Sequence, residues 1–240
     1  MKIACWSGPR NISTALMRSW SSRNDTFISD EPLYASHLKT KNIKHPMYEE
    51  IISSYETDYK KIKKYLTGNN PKKRELWYQK HMAHHIKDNE SLEWINSFKN
   101  CLLIREPKYV ISSYIKKNEL NSTEDLGYFQ QSLILNYLLE SKSDFIVIDS
   151  HCFLKNPQKY LSLWCKKLNI KFSRKMLKWE KKLYDYDGIW AKHWYRNVIN
   201  SHQFSEPREI IDEIPRKYSD ILEECNSYYS KLRKYELFYR

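Results

Sequence analysis

Glycine is the residue this chain has least of for its size: four in 240 positions, against an average usage near 7%. None of Gly8, Gly68, Gly127 and Gly188 is followed by lysine. The phosphate loop GxxxxGK[ST] is therefore absent, and with it the lysine that reaches the β- and γ-phosphates and the adjacent magnesium ligand. That excludes a nucleoside triphosphatase or kinase built on that loop. The five cysteines are odd in number, widely spaced and without a CxxC pair, which excludes a disulfide frame or zinc ribbon and fits a reducing compartment. No apolar run reaches 18 residues and no export segment is visible at the N-terminus. The expectation is a cytoplasmic protein with no membrane partner. Acidic residues are in deficit, 29 against 41 Lys and Arg, for a formal charge of +12. The excess favours anionic partners, although runs such as KKIKK (60–64) and PKKR (71–74) read equally as solvated faces. No zinc-finger or RNA-recognition signature accompanies the charge, so no nucleic-acid partner is expected.

Aromatic residues are plentiful, at 15%, and argue for a folded core. Short apolar runs that read as strands lie at KIACWS (2–7), TFISDEPLY (26–34), where the strand must break before Pro32, ELWYQKH (75–81), NCLLIRE (100–106) and DFIVIDS (144–150). Between and after them the period turns helical: Ser13 to about Arg23, 48–66, Pro107–Lys117, 125–142, 156–169 with Asn156 capping and Pro157 at the first position, and 215–237. Segment 181–210 is the least regular. Strands alternating with helices predict an α/β three-layer sandwich with a central parallel sheet, P-loop nucleotide-binding-like, in one domain over 1–240.

WSGPRNISTAL (6–16) runs from a strand through a tight turn into a helix. Such a turn offers free backbone N–H groups and the positive end of a helix dipole to an anion. Gly8 is expected to let the turn form and a ligand approach, Arg10 to supply a planar fork of donors, and Ser13 and Thr14 to add hydroxyls. A second arrangement, IREPKYVISSY (104–114), puts Arg105 at the carboxyl end of the fourth strand and Ser113 eight residues later, two turns into a helix. Two anion sites after two parallel strands suit a ligand with separated phosphates.

Together SGPRNISTAL and LIREPKYVISSY resemble the two cofactor signatures of the sulfotransferase family, in a bacterial branch that DEPLY, QKHMAHH and GIWAKHWYRNVINSHQF also match. The resemblance covers about residues 1–204. It implies transfer of a sulfuryl group from 3′-phosphoadenosine 5′-phosphosulfate (PAPS) to a hydroxyl or amine of a small acceptor, leaving 3′,5′-adenosine bisphosphate. On it, Ser7, Gly8, Pro9, Arg10, Asn11, Ile12, Ser13 and Thr14 form the 5′-phosphosulfate loop, with Arg10 where the family usually has Lys, and Arg105 and Ser113 form the 3′-phosphate site. The alternative is a non-catalytic domain that binds a nucleotide or phosphorylated ligand.

Sulfuryl transfer needs positive charge near the leaving group and a base for the acceptor proton. Arg10 and Lys80 are the candidate cations. Glu31, after the second strand, and His81, after the third, are both candidate bases; Asp30 competes with Glu31 as a loop cap. His81, His84 and His85 have partial zinc spacing, but no HExxH glutamate and no third ligand is legible, so no metal is expected. In WAKHWYRNV (190–198), Trp190, Trp194 and Tyr195 offer rings for adenine and Lys192 and Arg196 offer cations, while Trp190, Trp194 and Val198 have equally the spacing of a core face. Trp194 stands as the cofactor candidate of that group. Acceptor choice falls to loops around 35–50, 82–95 and 181–204, and neither acceptor nor oligomeric state is legible.

Overall fold

The computed structural model describes residues 1–87, 89–207 and 212–237. Five strands, β1 Lys2–Ser7, β2 Thr26–Asp30, β3 Leu76–Met82, β4 Lys99–Ile104 and β5 Phe145–Asp149, form one parallel sheet in the order β2-β3-β1-β4-β5. β1 is central because KIACWS is apolar on both faces, as a strand covered on both sides must be. Ile3 and Cys5 point into one core, with Leu16, Met17, Trp20, Tyr78 and Trp164; Ala4 and Trp6 point into the other, with Trp77, Ile134, Leu135 and Leu232. The three-layer expectation holds.

The helices are α1 Ser13–Ser21, α2 Tyr34–Lys41, α3 Tyr48–Ser54, α4 Tyr59–Thr67, α5 Pro107–Tyr114, α6 Tyr128–Glu140, α7 Ser150–Lys155, α8 Pro157–Lys167, α9 Ala191–Trp194, α10 Arg196–Ile199 and α11 Ser219–Arg233. The stretch expected as one helix over 48–66 is two, because the Asp58 side chain accepts from the backbone N–H of Lys60 and Lys61 and so caps a new start. Asn156 caps α8 through the N–H of Lys159 at 3.0 Å, with Pro157 at the first position, as the sequence predicts. The last helix is shorter than 215–237, preceded by a 3-10 turn at Arg216–Tyr218. The irregular segment contains the short α9 and α10, and its residues 208–210 lie outside the described ones.

Two features aim this scaffold. β1 is flanked by β3 on one side and β4 on the other, with connections leaving in opposite directions, so a crevice forms at the carboxyl ends there. Segment 181–190 is then tied to α1 by Arg18, fully buried, which pairs in a fork with Asp187 at 2.6 and 2.7 Å and lies against the stacked rings of Tyr184 and Tyr186.

Candidate active site

A cavity of about 270 Å³ opens over the carboxyl ends of the strands. Pro9, Arg10, Asn11, Ile12, Ser13 and Thr14 form its floor. Arg10 and Ile12 both take left-handed backbone angles, φ 61° and 59°. Left-handed residues at alternate positions turn successive N–H groups to one side, the arrangement of an anion-binding nest. α1 begins immediately afterwards without a side-chain cap, so the N–H groups of its first turn are left for a ligand.

Ser7 and Gly8 lie beneath this floor and do not line the cavity. Ser7 is fully buried, its hydroxyl directed at the His81 carbonyl at 3.4 Å. Gly8 is needed for a different reason from the one expected: its φ is ordinary, but a Cβ would sit 2.1 Å from the carbonyl oxygen of Leu126. The glycine lets the loop after β1 pack against the turn that precedes α6.

Arg10 joins the two sequence motifs. Its Nε donates to Ser113 Oγ at 3.1 Å and its Nη2 to the Ser113 carbonyl at 3.2 Å, while Arg105 Nη1 donates to the Arg10 carbonyl at 2.9 Å. Arg105 is held in turn, since Tyr128 donates to its carbonyl at 2.6 Å. Arg10, Arg105 and Ser113 thus converge beside the cavity, on the β4–α5 side.

On the β2–β3 side a buried charge network forms the wall. Lys80 Nζ, 1% exposed, pairs with Asp30 at 3.0 Å, with Glu31, and donates to the Tyr195 hydroxyl at 2.6 Å. That hydroxyl lies 2.8 to 3.0 Å from carboxylate oxygens of Asp30 and Glu31 and accepts from Trp190 Nε1 at 3.2 Å. Asp30 does not cap a helix; it accepts the Gly188 N–H at 3.2 Å. Burial pulls the Lys80 ammonium down, but Asp30 and Glu31 outweigh it and the net shift is upward, so Lys80 is a fixed cation. Burial pushes the Asp30 carboxyl up and the Tyr195 phenol well up. Glu31, the outermost member, lines the cavity, and its backbone is held in a left-handed turn, φ 43°, by a 2.9 Å bond to the Lys80 carbonyl.

The structure separates the two candidate bases. Successive strand residues face opposite ways, so Lys80 faces the cavity and His81 the other core. His81 stacks on Trp6 at 4.2 Å, and its Nε2 meets Gln79 Oε1 at 3.1 Å. Burial and the neighbouring Lys80 charge bring its pKa down to about 3. His81 is a core residue, and the expectation of a base there is corrected.

Of the WAKHWYRNV group, Trp190 is core, packed against Tyr34 and Tyr55, and Tyr195 belongs to the charge network. Trp194 does line the cavity, beside Tyr34 and His45 and away from the Arg105 side. His45, Met82, His84 and His85 of the lining fall within the loops 35–50 and 82–95 named from the sequence, whereas Tyr34, Tyr114, Asn118 and Asp125 were not singled out. For Tyr34 a signal existed: it stands three residues after Glu31, one turn on. For Tyr195 none did, since its partners come from other strands.

Comparisons with known proteins identify the family of the chain. A family profile described as "Sulfotransferase domain" matches residues 1–235. Branched-chain-amino-acid aminotransferase-like proteins 2 and 1 of Arabidopsis thaliana are 32% and 33% identical over 231 and 234 residues, 96% and 97% of this chain. The matches span 41% and 42% of those proteins, so the chain covers about two fifths of the length of these curated relatives. The sulfotransferase domain from the Synechococcus PCC 7002 olefin synthase superposes with a TM-score of 0.60 at 15% identity, covering 96% of this chain and 94% of that one. The sulfotransferase domain from the curacin biosynthetic pathway does so with 0.52 at 18%, covering 95% and 96%. At such identities the likeness is one of fold, and the family match carries the assignment: the chain belongs to the sulfotransferase domain family.

Proposed function

We propose that the protein moves a sulfuryl group from PAPS to a hydroxyl of a small acceptor. One observation carries this reading: a single cavity has an uncapped helix start and nest on its floor, Arg10 backed by Arg105 and Ser113 on one side, and a Lys80–Glu31 pair on the other. The donor set fits a nucleotide with two separated anionic groups. The 9–14 loop and the first turn of α1 would hold the 5′ side, and Arg10, Arg105 and Ser113 the 3′-phosphate. When bound, PAPS supplies an activated sulfuryl group on a phosphate leaving group.

The chain's own residues then have distinct tasks. Lys80 presents a permanent positive charge near the loop, where negative charge grows on the departing oxygen. Asp30 and Tyr195 hold that ammonium in place, so it needs no reorganisation. Glu31 Oε, at the cavity surface, accepts the proton of the acceptor hydroxyl. Tyr34, His45 and Trp194 exclude water on the acceptor side. Arg10 stays protonated near neutral pH and stabilises charge without donating a proton.

Thermal shift with 3′,5′-adenosine bisphosphate against 5′-AMP tests the second anion site: the bisphosphate shift is larger, and equal shifts remove the Arg105 and Ser113 assignment. Arg10→Lys keeps the charge but loses the fork to Ser113, and bisphosphate affinity falls about tenfold. Turnover of labelled PAPS over a panel of hydroxyl and amine acceptors separates an enzyme from a binding domain. Glu31→Gln lowers that turnover by about 10² to 10⁴ at unchanged bisphosphate affinity; full turnover rejects Glu31 as base.

A further inference from the structure

We infer that His37, His84 and His85 form a site for one late first-row divalent metal ion of the zinc class, in the wall shared by two cavities. His37 extends from α2, and His84 and His85 sit in the 3-10 turn Ala83–His85 that ends β3. One ring nitrogen of each lies within 4.8 Å of the others. The third ligand that the sequence does not reveal therefore comes from a separate helix.

Three arguments favour an ion over an ordinary histidine cluster. First, Nδ1 of His84 and Nδ1 of His85 are shut off from water without a hydrogen-bond partner. An unpaired buried nitrogen is costly, and an ion held by these rings removes that cost for each such nitrogen that ligates it. Second, the rings are already positioned: Tyr34 stacks on His85 at 5.0 Å and 13°, and His84 stands edge-on to both His37 and His85 at 5.4 and 4.6 Å between centroids. Third, imidazole is the ligand type that suits zinc, copper and nickel. With metal–nitrogen bonds of about 2.0 to 2.1 Å, tetrahedral ligand atoms lie about 3.3 Å apart. The remaining closure falls to His37, which is only half-buried and stacks on His85 at 4.6 Å.

Three imidazoles leave a fourth position for water or an anion. His84 lines the larger cavity, His37 a second cavity of about 250 Å³, and His85 both. The ion would sit between them, and the exposed Lys41 and Lys87 bordering the second cavity favour an anionic fourth ligand. The inference does not rest on the sulfotransferase reading.

The test is zinc binding to the chelator-stripped full chain by calorimetry, with cobalt substitution read by visible absorption. The expected result is one ion per chain with the d–d bands of a tetrahedral cobalt site. His37→Gln, on a half-buried ring that tolerates change, and His84→Gln each weaken affinity at least tenfold, while His202→Gln, exposed and remote in sequence, leaves it unchanged. Absence of saturable 1:1 binding, or wild-type affinity in His37→Gln, overturns the site. If His84→Gln does not fold, the His37 result decides alone.

Discussion

At the scale of single residues, strand alternation decides which of two adjacent titratable groups is available for chemistry. Lys80 and His81 are neighbours in QKHMAHH, yet one lines the cavity and the other is packed on Trp6. The buried histidine has its own consequence for stability. Its folded-state pKa is about 3, below the ordinary value near 6.5, so the folded protein holds it neutral while the unfolded chain takes up a proton. The contribution is fully present above about pH 6.5 and is lost as pH falls toward 3, with a limiting slope of about 1.4 kcal/mol per pH unit. His81→Phe keeps a ring against Trp6 and removes the titration. The loss of unfolding free energy between pH 7 and pH 4.5, measured by urea denaturation, should shrink by about 2 to 3 kcal/mol in the variant. An unchanged pH dependence would mean that His81 is not held neutral.

At the scale of elements, the cavity wall formed by α9 and α10 depends on an anchor far from it in sequence. α9 and α10 are each one turn long and cannot be stable alone. They are preceded by segment 181–190, which Arg18 grips through Asp187 and the Tyr184 and Tyr186 rings, and Gly188 N–H then reaches Asp30. Asp187→Ala leaves a fully buried guanidinium without its counter-ion, at a cost of about 3 to 5 kcal/mol. The double variant Arg18→Met/Asp187→Ala should recover much of that loss in chemical denaturation, because it removes the uncompensated charge. A double variant no better than the single would mean that packing, not charge, sets the cost. The irregularity of 181–210 is legible in the sequence; the pairing that orders its first part is not, because Arg18 reads as an ordinary charged position on an amphipathic helix. The same limit applies to the third histidine at His37, whereas the break at Asp58 is a local cap that the sequence does carry. Caps and periods are local, and the sequence shows them. Contacts between distant elements leave no local trace. The strands and their parallel sheet were therefore readable, whereas Tyr195 at the centre of the charge network was not.

At the scale of the whole molecule, the +12 charge and the charge at the cavity act over different distances. The cavity's own cations are Arg10 and Lys80, with Arg105 behind them; the lysines of α4 do not line it. At about 0.1 M salt the screening length is about 10 Å, so remote lysines contribute to an approaching anion's rate only in dilute salt. Stopped-flow association of 3′,5′-adenosine bisphosphate should therefore slow by about tenfold between 0.03 and 0.3 M NaCl. Neutralising Lys60, Lys61, Lys63 and Lys64 to Gln should slow it less than about twofold at 0.15 M, and more at 0.03 M, where the screening length approaches 20 Å or so. Arg105→Gln should instead raise the dissociation rate at both salt concentrations, because a contact at the bound ligand is lost and not a steering charge. If the lysine variant dissociated faster, or slowed equally at both salts, the basic face would be part of the binding site and the division between steering and holding would fail.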